Sequence, residues 1–202
     1  MINVRDFGAV GDGVTDDTAV IQSALGQVDT VYLPKGRYRI TSSLCINDLR
    51  GLRLVGDGPR VSVLEWEGNA TDAALVMASS HTGTLAEFSI HVIRPYTLRT
   101  GVWVYTKVVP RKFVSRTNRF INLTIEGNTN ELGMGIRLGG NEVVVANANN
   151  DFHYLESVIV LNYTGTAYSL ENSQIYGTKF NNCTFASACA GASGVSTRDN
   201  PS

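Results

Sequence analysis

Apolar and polar positions along this chain follow a recurring six-residue unit. Phe120-Ile-Asn-Leu-Thr-Ile125 shows it: apolar, any, any, apolar, any, apolar. The unit returns as Leu49-Arg-Gly-Leu-Arg-Leu54, Leu85-Ala-Glu-Phe-Ser-Ile90, Leu155-Glu-Ser-Val-Ile-Val160 and Phe180-Asn-Asn-Cys-Thr-Phe185. Starts at 49, 85, 120, 155 and 180 are 36, 35, 35 and 25 residues apart. Near-constant spacing of this kind marks a repeat architecture.

The end of each unit alternates, with Leu123 and Ile125 on one side and Thr124 on the other. That is the period of a strand. The third column (Gly51, Glu87, Asn122, Ser157, Asn182) is small or polar in every copy. A second apolar run follows in several copies: Gly101-Val-Trp-Val-Tyr105, Gly135-Ile-Arg-Leu138 and Ala167-Tyr-Ser-Leu170. Helical spacing is absent beyond the unit itself. The pattern predicts parallel strands stacked about 4.8 Å apart, each coil burying its apolar face on the next. Leu52, Leu54, Phe88, Ile90, Leu123, Ile125, Val158, Val160, Cys183 and Phe185 are the expected inward residues.

The N-terminal stretch departs from the repeat. Gly8, Gly11 and Gly13 permit tight turns. Thr15, Asp16 and Asp17 then offer capping and first-turn acids to a helix near 15–26, whose apolar face is Val20, Ile21, Ala24 and Leu25. Laid over the first rung, such a helix covers an otherwise open edge. Strands at 30–33 and 37–41, joined across Pro34-Lys-Gly36, should begin the stack. The 25-residue step shows what a compact coil needs, so the extra residues of the longer steps are loops, where specificity is expected. The organisation predicted is one domain: cap and first strands over 1–47, coils over 48–190 and a loose tail over 191–202. No amphipathic lid follows the last unit, so either the stack ends in a partner or the chain is the N-terminal portion of a longer protein, the reading that the resemblance described below favours.

Composition narrows the partners. A formal net charge of −1 over 202 residues argues against nucleic acid. No run approaches the length of a membrane span, and no cleavable apolar leader precedes Asn3. Three cysteines form no closed disulfide set; Cys45 and Cys183 read as small core residues and Cys189 as a free thiol. The glycines before the helix do not fit a phosphate-binding motif, and Asp12, Asp16 and Asp17 read as turn and capping acids.

Val4-Arg-Asp-Phe-Gly-Ala-Val-Gly-Asp-Gly-Val-Thr-Asp-Asp-Thr18, with Ile21-Gln22 and Val31-Tyr-Leu-Pro-Lys-Gly-Arg-Tyr-Arg-Ile40, resembles the N-terminal signature of the pectate-lyase-like superfamily. The nearest branch is the rhamnogalacturonase/epimerase-like domains, common also in phage tailspikes. The close likeness covers about residues 3–58. It implies an all-β, right-handed parallel β-helix (a solenoid) with an N-terminal capping α-helix. It also implies a polysaccharide substrate, lyase or glycoside hydrolase activity in the full-length protein, an extracellular or virion-surface setting, and often a homotrimer in viral members. The competing class is a non-catalytic structural or adhesive tailspike module.

Glycoside hydrolysis uses two carboxylates about 5–5.5 Å or 6.5–9.5 Å apart. A lyase needs a base and a charge sink for the sugar carboxylate. Stacked in register, Glu87 and Glu156 fall on the order of 10 Å apart and Glu126 and Glu156 on the order of 16 Å, so neither makes a working pair. Asp151-Phe-His-Tyr-Leu-Glu156 is the best local cluster, with His153 as a base and Glu156 as an acid; Asp151, His153, Glu156 and Glu126 are the catalytic candidates. The plainer reading is a turn acid, a surface imidazole and a solvated strand residue. Arg119, Tyr154 and Lys179 precede the unit on successive rungs and are candidates for an exposed stripe holding an acidic sugar. Trp66 and Trp103 are candidate sugar platforms, although Trp103 sits in a strand pattern that reads more readily as core. No cofactor is predicted; Ca2+ stays open, but the coils carry no aspartate cluster.

Overall fold

The computed structural model describes residues 1–27, 29–47, 50–68, 73–106, 115–129, 131–139, 150–171 and 177–197. These form a nearly all-β chain whose strand pairs are all parallel among the described residues. A large first sheet runs through Ile2–Asn3, Thr30–Leu33, Arg53–Gly56, Thr84–Val92, Arg119–Glu126, Tyr154–Glu156 and Lys179–Asn181. Its other half carries Asp12–Asp16, Gly36–Ile40 and Ser62–Trp66 onto the second half of Thr84–Val92, then Arg119–Glu126, Ile159–Leu161 and Thr184–Ala186. The second sheet stacks Leu44–Asn47, Ala73–Ala78, Leu98–Tyr105, Leu132–Gly139, Tyr163–Glu171 and Ser193–Thr197. A short ladder pairs Ser115–Arg116 with Asn150–Asp151.

Register follows the repeat in four of its five copies. Leu85, Phe120, Leu155 and Phe180 form one column, and Ile90, Ile125, Val160 and Phe185 another. The copy at 49–54 is out of register. Leu54 pairs with Leu85, and the partner of Ile90 is Leu64. Two short strands, Arg53–Gly56 and Ser62–Trp66, occupy the place that Thr84–Val92 fills alone in the next coil, because the turn at 57–61 is inserted between them. Leu49 lies outside the described residues.

The polar third column has a backbone cause. Glu87, Asn122, Ser157 and Asn182 are left-handed, with φ of 61, 48, 53 and 50°. They bend each coil from one half of the first sheet to the other. A left-handed non-glycine residue costs about 1–2 kcal/mol. Side-chain bonds along the column offset this: Asn122 Nδ2 donates to Glu87 Oε2 at 2.6 Å, and Asn182 Nδ2 to Ser157 Oγ at 3.3 Å. Gly51 belongs to a different left-handed column, with Thr82, Thr117, Phe152 and Gly177.

The core lies between the inner faces of the two sheets. Leu52, Leu54, Phe88, Ile90, Leu123, Ile125, Val158 and Val160 are fully buried. Cys183 and Phe185 are half-buried, since among the described residues their coil pairs on one side only. A Cβ on Gly135 would stand 2.5 Å from the Ala167 carbonyl oxygen and 2.6 Å from the Val160 side chain. The second sheet thus approaches the first at that point as closely as a side-chain-free residue allows. Cys45, read as core, instead joins a small separate cluster with Val76, Trp103 and Tyr105. The stretch read as a loose tail contains the strand Ser193–Thr197; its single apolar residue, Val195, gave no periodic signal.

One α-helix, α1 (Thr18–Leu25), is present among the described residues; none is long and apolar enough to cross a membrane. Ile21, Ala24 and Leu25 enter the core. Gln22 bonds the Cys45 backbone in both directions, donating from Nε2 at 3.0 Å and accepting at Oε1 at 2.7 Å, which docks α1 on Leu44–Asn47 at the second sheet's edge. The preceding acids serve the turn and the helix start, Asp12 by accepting from Val14 N and Thr15 N, although the strand extends further than expected. Asp12–Asp16 is strand, not helix. Asp16 receives Thr18 N at 3.0 Å, while Asp17, 1% exposed, receives Val10 N and Gly11 N at 2.8 and 3.0 Å and pins the glycine turn to the helix start.

Candidate functional site

Arg119, Tyr154 and Lys179 stack in register on the outer face of the first sheet. The Arg119 guanidinium lies 5.8 Å from the Tyr154 ring centroid. Glu156 occupies the neighbouring outward column, level with Ile121 and Asn181, and is half-buried.

Asp151 and His153 do not join it at the surface. Asp151 is 3% exposed, and its Oδ2 lies 3.4 Å from Arg116 Nε. His153 is 1% exposed, with its ring centroid 6.4 Å from that of Phe120. Neither of its ring nitrogens has a hydrogen-bond partner among the described residues. Burial lowers its pKa to about 4, so it is neutral at pH 7. The surface imidazole foreseen from sequence is therefore an interior one. Left-handed Phe152, itself 56% exposed, turns the chain so that residue 153 points inward. Asn118 holds the same column one rung earlier, fully buried, receiving Gly83 N at 2.9 Å and donating to Ser80 O at 3.1 Å.

Glu126 sits elsewhere, in a groove of about 230 Å³ with Arg60, His91, Val92, Ile93, Gly127 and Asn128. Its Oε2 lies 3.4 Å from both Arg60 Nη2 and His91 Nε2. Desolvation lowers the His91 pKa despite the opposing pull of Glu126 and Glu65. Sequence reasoning missed His91. The signal was present, because His91 precedes Glu126 by one 35-residue repeat and so shares its column. Glu126 and Glu156 fall in different halves of the first sheet, on opposite sides of the left-handed corner, and Glu87 is engaged by Asn122.

The second sheet carries the most ordered outward cluster. Trp103 is on its outer side, in register with Arg137 and Ser169, so it is not in the main core. Arg137 lies 4.8 Å from the Trp103 ring centroid, and Trp103 is 4.6 Å from the ring of Tyr105. Arg137 also donates to Glu171 Oε2, from Nε at 2.8 Å with Nη2 at 2.6 Å, and Ser169 donates to Oε1 at 3.1 Å. Glu171 and Ser169 border a groove of about 280 Å³ with Arg99, Met134, Thr166 and Ser196. Trp66 is 2% exposed and donates to Thr97 O, which removes it as a platform. Among the described residues no three His, Cys, Asp or Glu side chains converge as a metal cage.

Stacked parallel coils of this kind define a parallel β-helix. The chain belongs to the family described as rhamnogalacturonase A/epimerase, pectate lyase-like, which matches residues 1–200. Mannuronan C5-epimerase AlgE1 of Azotobacter vinelandii is 41% identical over 83 residues, covering 34% of this chain and 6% of the relative. The matched segment is thus a small part of that protein. Two solved structures share the fold. The catalytic unit of a GH87 α-1,3-glucanase from Streptomyces thermodiastaticus has a TM-score of 0.65 at 19% identity, over 91% of this chain and 30% of that one. The A-module of A. vinelandii mannuronan C-5 epimerase AlgE6 has a TM-score of 0.61 at 18% identity, over 98% and 57%.

Proposed function

We propose that this chain is a polysaccharide-binding part of a sugar-modifying enzyme, built as a right-handed β-helix whose first end is closed by α1. The observation that carries the reading is the network Tyr105–Trp103–Arg137–Glu171–Ser169 bordering the 280 Å³ groove. It spans three rungs and holds polar groups in fixed positions on an outer face. A sugar chain laid there meets hydroxyl partners in Thr166 and Ser196, with the Glu171 carboxylate at the groove's edge and the Arg99 guanidinium for a uronate carboxylate. The Arg119, Tyr154 and Lys179 column, with Glu156 beside it, is a second-rank surface for the same polymer. An extracellular or virion-surface setting goes with this reading, since that is where such polymers are met.

The chemistry proposed is lyase or hydrolase action in the full-length protein. The alternative is a non-catalytic adhesive module. An oligosaccharide array, followed by assays for new reducing ends and for the ultraviolet absorbance of unsaturated ends, separates the two. Binding that Glu171→Gln weakens about tenfold, with product formed, supports the enzyme. Binding without product supports the module. No binding by any polysaccharide overturns both.

A further inference from the structure

The groove beside Glu126 lies on the first sheet and takes no part in the second-sheet network. Three of its four polar side chains, Asn128 being the fourth, come from three separate pieces of chain. Arg60 stands on the turn before Ser62–Trp66, His91 on Thr84–Val92 and Glu126 on Arg119–Glu126. Arg60 Nη2 donates a long hydrogen bond to Glu126 Oε2 at 3.4 Å, and His91 Nε2 stands at the same distance from that oxygen. His91 Nε2 is buried and has no hydrogen-bond partner among the described residues. Of the three groups, His91 is therefore the one left unsatisfied among the described residues.

The backbone at Arg60 is also held in an unusual state. Its φ is +66°, left-handed for a long side chain, and its N–H donates to Ser89 Oγ at 2.8 Å. Such a conformation persists where the surroundings impose it, and it is concentrated at binding sites. Here it sets the guanidinium, two-thirds exposed, above the half-buried carboxylate.

Charge decides what fits. The nearest further charges, Glu65 and Arg37, pair with each other. Within the groove Arg60 and Glu126 cancel. An anion drawn to Arg60 meets the Glu126 carboxylate, and a cation drawn to Glu126 meets Arg60. Hydroxyl groups avoid both conflicts, because each donates to a carboxylate and accepts from a guanidinium. Ile93 adds an apolar wall for the C–H face of a ring. We propose that this groove is a second saccharide site, taking one neutral sugar residue through paired hydroxyls on Glu126 and Arg60 with His91 beside them. It does not rest on the second-sheet reading.

The chain has three histidines, so imidazole NMR signals can be assigned one by one. The probes are methyl glycosides of glucose, mannose and galactose, with sodium glucuronate as the charged comparison. The expected result is a saturable shift of the His91 signal by at least one neutral glycoside, a constant His153 signal, and weaker binding of glucuronate. Arg60→Gly is expected to weaken binding about tenfold or more while keeping the fold, because glycine adopts positive φ freely. Glu126→Gln should do the same. The proposal is overturned if no neutral glycoside moves His91, if glucuronate binds more tightly, or if Arg60→Gly and Glu126→Gln leave affinity unaltered.

Discussion

Asn122 donates its side-chain amide to the carboxylate of Glu87 on the rung before, at 2.6 Å, and both residues hold the left-handed conformation. The bond joins the corners of two successive coils. Asn122→Ala should lose this charge-assisted bond and also pay for a left-handed alanine. The expected cost is about 2–4 kcal/mol. Asn122→Gly, free of the backbone term, should cost about 1–2 kcal/mol less. Urea unfolding of both variants checks the ordering; equal losses would mean the corner is not strained.

The close approach of the two sheets predicts a second result. Gly135→Ala forces a Cβ to 2.5 Å from a backbone oxygen and 2.6 Å from Val160. Overpacking of this kind costs about 1–3 kcal/mol or more. Pairing it with Val160→Ala should recover part of the loss, measured as a higher urea midpoint than Gly135→Ala alone.

His153 makes stability depend on pH. Its pKa falls from 6.5 to about 4 on folding, so between those values the unfolded chain binds more protons. Stability should therefore be full above about pH 6.5, decline as pH falls, and reach its full loss near pH 4, by at most about 3 kcal/mol. The depressed pKa values of Asp12 and Asp16 act in a separate window, below their ordinary 3.8. His153→Met should flatten the decline between pH 6.5 and 4 relative to the parent, in which His81 and His91 remain. An unchanged slope would refute the assignment.

Arg137 and Glu171 form a nearly buried ion pair, with side chains 9% and 10% exposed. Arg137→Met alone should cost about 3–5 kcal/mol, because Glu171 is left buried without its cation. The double change with Glu171→Met should cost clearly less. Trp103 emission should change in both variants, since the guanidinium over its ring is gone. A double variant as unstable as the single one would show that packing, not charge, governs the site.

Much of this fold was legible because stacking repeats one pattern. Inward residues from Phe88 to Val160 follow from period two and a step of about 35 residues. The register of the first copy was not legible. Leu49-Arg-Gly-Leu-Arg-Leu54 matches the unit by letter, yet the turn at 57–61 splits that coil in two, and only pairing partners reveal it. The candidate site was legible where columns are straight. Arg119, Tyr154 and Lys179 fell together as read. It failed at His153, where one left-handed residue reverses the side a neighbour faces. It also failed for Arg137 and Glu171, which are 34 residues apart and meet only through the register of the second sheet.

The two left-handed columns set apart what varies from what does not. Between Thr82 and Glu87, Thr117 and Asn122, Phe152 and Ser157, and Gly177 and Asn182, the interval is five residues each time. The intervals between coils differ, at 35, 35 and 25 residues. Each of these four coils thus has a corner-to-corner segment of constant length, and the variation in length among them falls outside it. That makes the outgoing loops exchangeable cassettes. A loop of another length can be grafted between the same two corners without shifting the coils above or below, so new specificity is accessible by transplantation and not by redesign of the stack.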